Sequence, residues 1–280
     1  MKFRTEIGEV KGGFAISHDD RIVMLGSCFS DNIGSRLEAE GFTVTHNPLG
    51  PLYNPASIAR ITARGGRPYR TEDLIEYQGE WHCLDMAWRY HDTDRDRLLE
   101  RINADYLPLA DAIDRCTVLI LTMGTARVYI HGGITAGNCH KLPASMFEQR
   151  DLRVNEIYET LTKALPAGKR LIFTLSPVRY PSYGLACDSL SKATLRVALD
   201  DVCRDTGADY FPAYEIINDD LRDYRFYAAD LKHPSEVAVE YIYQHFADAY
   251  FDNATRQRAA ECHRAYLRGL HRQITNTTDE

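Results

Sequence analysis

The chain has 280 residues, 44% of them hydrophobic and 26% charged, with a formal net charge of −7. That length is enough to bury a large core, and the acidic balance argues against nucleic acid or an anionic membrane as the main partner. No apolar run is long enough for a membrane span, and Met1-Lys2-Phe3-Arg4-Thr5-Glu6 lacks the apolar stretch of a signal peptide, so a cytoplasmic location is expected. Seven cysteines (28, 83, 116, 139, 187, 203 and 262) are scattered and odd in number, with no Cys-x-x-Cys pair. They describe neither a disulfide framework nor a zinc ribbon.

In chain order, Ile22-Val23-Met24-Leu25 reads as a buried strand, Gly26 as a sharp turn, and Ser27-Cys28-Phe29 as the approach to a helix over 31–40. Phe29, Ile33 and Leu37 form its apolar stripe. A second strand over 42–45 runs into a loop over 46–55 in which prolines and glycine exclude helix. Residues 69–92 break the rhythm with a hairpin turning at Gln78-Gly79, readable as a lid or as a packed surface element.

A helix over 94–113 then presents Leu98, Ile102, Leu109 and Ile113. Residues 118–123 are continuously apolar, as a central parallel strand requires, and end at Gly124-Thr125. A polar loop over 132–147 holds Asn138-Cys139-His140-Lys141; a metal there would need a second ligand pair, which is missing, so neither metal nor cofactor is expected. The remaining elements are a helix over 154–165, a strand over 170–175 leading to Ser176-Pro177-Val178-Arg179, a helix over 189–206, a short strand over 209–211 and a helix over 236–250. Val237, Tyr241 and Phe246 lie near one face of that helix. A basic helix over 255–274 reads as a solvated face or a homodimer contact.

Five strands alternating with helices predict a three-layer α/β/α domain over 21–252 with a five-stranded parallel sheet, a 1–20 extension before it and a 253–280 helix after it. In such a sheet ligands bind beyond the carboxyl ends of the strands. Cys28, Gly50, Gly124, Arg179 and the 230–233 segment all fall there. A side chain on the strand-to-helix turn is held beside helix N–H groups that have no partner in the helix, which favours a thiolate and a developing oxyanion. Asp230 and His233, three apart before a helix, are spaced so that the carboxylate can orient the imidazole as a base.

Gly26-Ser27-Cys28-Phe29 and Asp230-x-x-His233-Pro234 resemble the first and last blocks of the SGNH (GDSL-like) hydrolase superfamily. With Asn47-Pro48-Leu49-Gly50, Tyr53-Asn54-Pro55, Gly124-Thr125, Asn138-Cys139-His140-Lys141, Ser176-Pro177-Val178-Arg179 and Asp223-Tyr224-Arg225-Phe226-Tyr227, the chain is similar to the GSCFA family within it, over about 21–251. The resemblance implies a flavodoxin-like fold and ester or acyl chemistry through a nucleophile, His233 and Asp230. Cys28 stands where the superfamily's serine would, Ser27 where its aspartate would, and Ser27 becomes the alternative nucleophile if the turn shifts by one residue.

Thr125 or Asn138 takes the place of the superfamily's oxyanion asparagine, with the N–H groups of Cys28 and Gly50 as further donors. A thiolate at this turn beside a histidine is expected to have a lowered pKa. His140, Lys141 and Arg179 either bind an anionic group of the substrate or pair with acidic neighbours. The expected activity is an esterase or acyltransferase on a small-molecule or glycan acyl substrate; the alternative is a binding module that keeps the fold without the chemistry.

Overall fold

The strand-to-helix turn at Gly26 lies near the middle of the sheet. In the computed structural model, which describes residues 5–277, β1 (Arg21–Gly26) leads into α1 (Cys28–Ala39), β2 (Thr43–His46) and α2 (Pro55–Ala63). Next come β3 (Ile75–Tyr77), β4 (Glu80–His82), β5 (His91–Asp92), α3 (Arg95–Arg115), β6 (Val118–Met123), β7 (Arg127–His131), β8 (Ile134–Ala136), β9 (Glu148–Asp151) and α4 (Val154–Ala164). The chain closes with β10 (Arg170–Leu175), α5 (Leu185–Thr206), β11 (Asp209–Phe211), α6 (Ala213–Glu215), α7 (Glu236–Tyr250) and α8 (Asn253–Thr277).

The central sheet has the order β11-β10-β6-β1-β2, and every pairing is parallel. Taken as five successive parallel strands this is the order 2-1-3-4-5 of flavodoxin-like folds. Alternation along the strands builds the layers. Val23, Leu25, Leu119, Leu121, Leu171 and Phe173 face one way and pack with Leu98, Ile102, Ile157, Leu195 and Leu199 of α3, α4 and α5. Ile22, Met24, Val118, Ile120 and Ile172 face the other way, against Phe29, Ile33, Ile242 and Phe246 of α1 and α7. The predicted three-layer α/β architecture is the one observed.

Several local expectations change. α1 starts at Cys28, three residues before the predicted 31, because the Ser27 hydroxyl caps the first turn. Pro55, read as helix-excluding, is the first residue of α2, where its missing N–H costs nothing. Residues 132–147, read as a polar loop, belong to a small sheet of order β8-β7-β9 that spans 127–151. α5 starts at Leu185, four residues before the predicted 189. Val237 is 68% exposed, because the Ser235 cap sets a phase that turns Ala238, Ile242, Phe246 and Tyr250 inward instead.

The 69–92 hairpin forms with Gln78 and Gly79 both at positive φ. Cys83, Met86 and Tyr90 behind it are buried in the core beside α3, which is the packed-surface alternative. The start of α8 packs on the domain through Thr255 and Ala259, both buried. Residues 1–4 and 278–280 of the predicted terminal segments lie outside the described residues.

Candidate active site

Gly26 has φ near +143°, and a Cβ there would lie 2.2 Å from the Thr122 carbonyl oxygen of β6, so only glycine closes this turn. Asn47, at the carboxyl end of β2, accepts from the Gly26 N–H at 2.9 Å and donates to the Ser27 carbonyl at 3.2 Å. It is buried and left-handed itself, with φ near +37°. Ser27 donates its N–H to the Thr122 carbonyl at 3.2 Å. Two neighbouring strands therefore clamp the turn.

Ser27 is almost fully buried; its hydroxyl accepts from the Phe29 N–H at 3.3 Å and donates to the Ser176 hydroxyl at 2.8 Å. Cys28 is half-buried and opens α1, with its own N–H and that of Phe29 favouring negative charge on the sulfur. Burial nevertheless outweighs these donors, and the Asp31 and Asp230 carboxylates add to it, so the thiol pKa is raised rather than lowered. This corrects the expectation drawn from the helix end alone. The resting form is the thiol, which needs a base.

Asp230 and His233 lie on the turn before α7. His233 Nδ1 is 2.6 Å from Asp230 Oδ2, while Oδ1 accepts the N–H groups of Lys232 and His233 at 3.0 Å each. The hydrogen bond from His233, with those backbone donors, holds the Asp230 carboxyl well below the usual carboxylate range. An ionised carboxylate on Nδ1 assigns the proton there and leaves Nε2 as the acceptor. The segment is anchored to the sheet edge by the Arg179 N–H, which donates to the Lys232 carbonyl at 3.0 Å, and by the Ala228 N–H on the His233 carbonyl at 2.7 Å. Cys28 and His233 form no hydrogen bond in this state, and the His233 side chain is about half exposed.

A cavity of about 450 Å³ opens beside the turn, lined by Ser27, Ser176, Asn138, Cys139 and four tyrosines, Tyr53, Tyr129, Tyr180 and Tyr183. None of the 69–92 residues lines it. Tyr53 links this wall to Cys28: burial and the neighbouring Cys28 and Asp31 charges push its phenol up to about 12. Arg127, also in the lining, is neutralised by Asp151 at 2.8 Å and lies over the Tyr183 ring.

Other predicted site residues sit differently. The Gly50 N–H donates to the Asn47 carbonyl at 2.8 Å, within its own turn, which removes it as an oxyanion donor. The Thr125 N–H is used by the Tyr53 carbonyl, and its hydroxyl pairs with Ser191 and accepts from the Arg127 N–H. Asn138 stays available: it lines the cavity, and with its carbonyl oxygen taken by the His140 N–H its carboxamide nitrogen has no partner among the described residues. The Cys28 N–H likewise keeps its place at the helix start.

His140 is buried with Nε2 on the Met86 carbonyl at 3.0 Å, so it does not reach substrate. Lys141 lies over the Trp88 ring, outside the cavity lining. Arg179 pairs with the Tyr224 hydroxyl at 3.1 Å beside the His233 turn.

Sequence reading placed Asn47 and Ser176 in motifs but gave them no role, and it missed Lys192. Lys192 sits on α5 in phase with Leu195 and Leu199, a spacing that points it inward, yet a lysine is ordinarily assigned to solvent.

Fold and site together define an α/β protein with a helix-start cysteine and a histidine–carboxylate pair at the carboxyl edge of one parallel sheet. The chain belongs to the GSCFA family, whose model matches residues 21–246. No curated protein matches it.

Proposed function

We propose that the protein is an esterase or acyltransferase of the SGNH type, acting through Cys28, His233 and Asp230. The observation that carries this reading is the 2.6 Å His233–Asp230 pair at the same sheet edge as a cysteine that opens a helix. Nε2 of His233 takes the Cys28 proton as the sulfur attacks the acyl carbon. The imidazolium then protonates the departing alcohol, leaving an acyl thioester, and water or another acceptor activated by the same nitrogen releases the acyl group. The hydrogen bond between His233 Nε2 and the Cys28 thiol forms once substrate is bound, since catalytic hydrogen bonds are commonly long or poorly aligned without it. The Cys28 N–H and the Asn138 carboxamide are the oxyanion donors. The tyrosine-rich, charge-compensated cavity suits a neutral polar acyl ester such as an acylated sugar.

The test is incubation with an activated acetyl ester followed by intact-mass measurement. An adduct lost in Cys28→Ala and retained in Ser27→Ala supports the assignment. The reverse pattern transfers the nucleophile to Ser27, whose hydroxyl lines the cavity. No adduct and no turnover above the Cys28→Ala control, with thermal stabilisation by a small acid or sugar, leaves a binding module.

A further inference from the structure

Beneath the Ser27-Cys28 turn lies a buried cation that the proposed chemistry does not use. Lys192 is 2% exposed on the inner face of α5, and its Nζ donates to the Ser176 carbonyl at 2.8 Å. No carboxylate among the described residues forms an ion pair with it, although Asp188 lies one turn earlier on the same helix and accepts the Tyr180 N–H. Its Nζ is 5.5 Å from the centre of the Tyr214 ring, which follows β11. The hydroxyl of the same Ser176 receives the Ser27 hydrogen bond, so the lysine and the turn share one residue.

A buried ammonium with a carbonyl as its hydrogen-bond partner is costly, and such a charge is kept where it does something for a neighbouring group. The titratable groups facing Cys28 are Asp31 on its own helix, paired to His46 of β2; Tyr53 from the loop after β2; Asp230 with His233 from the turn before α7; and Lys192 from α5. Both carboxylates oppose a thiolate. Cys28 in turn favours the charged form of Lys192.

We infer that Lys192 is a positioning residue for the site: held on the Ser176 carbonyl, its ammonium supplies the positive charge that makes negative charge on Cys28 accessible. Burial pulls the lysine down to about 8, with Asp188 and Cys28 pulling the other way. It therefore carries its charge at neutral pH and loses it in the mildly alkaline range.

The inference rests on Cys28 being the reactive group, but its test needs no substrate, so it can fail or hold separately from the esterase reading. The rate of Cys28 alkylation by iodoacetamide is followed by peptide mass spectrometry from pH 6 to 10 in the full chain and in Lys192→Met, Lys192→Gln and Lys192→Arg. Loss of the charge should slow alkylation roughly tenfold at pH 7.5, where Lys192 is still protonated, and change the rate little above pH 9, where the lysine is already neutral, and Lys192→Arg should restore most of the rate. Lys192→Gln can still donate to the Ser176 carbonyl, so it separates charge from hydrogen bond and decides the matter if Lys192→Met does not fold. A Lys192→Gln profile superimposed on that of the unsubstituted protein overturns the inference.

Discussion

Asp230 Oδ2 and His233 Nδ1 approach to 2.6 Å within a single turn of chain, while the second carboxylate oxygen is fixed by two backbone N–H groups. The carboxylate is thus oriented before any substrate arrives. Asp230→Asn should lower kcat/KM on an activated ester by about 10²- to 10⁴-fold, the range seen when a triad carboxylate is lost and the wrong tautomer is favoured. Both side chains are about half exposed, so the melting temperature should hardly move. A variant that keeps full activity would remove Asp230 from the mechanism.

The raised thiol of Cys28 has a cause that can be removed. Asp31 is the largest charge opposing the thiolate, and it sits one turn along the same helix. Asp31→Asn should lower the Cys28 pKa, and because the thiolate is the reactive form the alkylation rate at pH 7.5 should rise severalfold. The unsubstituted protein should show a rate that keeps climbing past pH 9. A rate already level at pH 7 would mean that the helix-end donors outweigh burial and the acids.

The turn itself should tolerate little. Gly26→Ala places a Cβ against the Thr122 carbonyl and should cost about 3 kcal/mol or more. Asn47→Ala leaves the Gly26 N–H and the Ser27 carbonyl without their buried partner, a loss of about 2–4 kcal/mol. Urea unfolding midpoints check both, and a change under about 0.5 kcal/mol in either would show that the clamp is not structural.

Much of this was legible in the sequence because hydrophobic period carries it. The stripes Phe29-Ile33-Leu37 and Leu98-Ile102-Leu109-Ile113 are buried as their spacing requires, and the run 118–123 is the central strand β6. What stayed hidden depends on partners far along the chain. The β7–β9 pairing joins residue 127 to 151, and β9, Glu148–Asp151, has no apolar residue to mark it as a strand. Gly50 looked like a donor because it follows a strand, but its N–H is spent on Asn47 three residues back. A raised rather than lowered Cys28 follows first from burial by segments far along the chain, then from Asp31, with Asp230, some two hundred positions away, adding a smaller push.

His140 ties acid stability to its burial. Desolvation pushes it down to about 4, its Nδ1 has no hydrogen-bond partner among the described residues, and the buried His82 ring 5.5 Å away is lowered too. Below its unfolded value near 6.5 the unfolded chain binds a proton that the native ring refuses, so stability falls as pH drops from about 6.5 towards 4. The full effect of His140 is at most about 3 kcal/mol. His140→Gln, able to keep the Met86 carbonyl bond, should flatten the urea midpoint between pH 7 and pH 5 relative to the unsubstituted protein. Parallel pH dependences would place the acid sensitivity elsewhere.

Lys192 should show the same linkage with a different window. Between its native value of about 8 and its ordinary value of 10.5 the unfolded chain is protonated and the native lysine is not, so stability contributed by this residue rises with pH across that range. At pH 7 both states are charged and the native state bears the full burial penalty. Lys192→Met removes that penalty but strands the Ser176 carbonyl, giving a net gain of about 1–2 kcal/mol at pH 7. Urea midpoints of the two proteins at pH 7 and pH 10 should converge as the lysine neutralises. A Lys192→Met variant that is less stable at pH 7 would show that the ammonium is held for the fold rather than for Cys28.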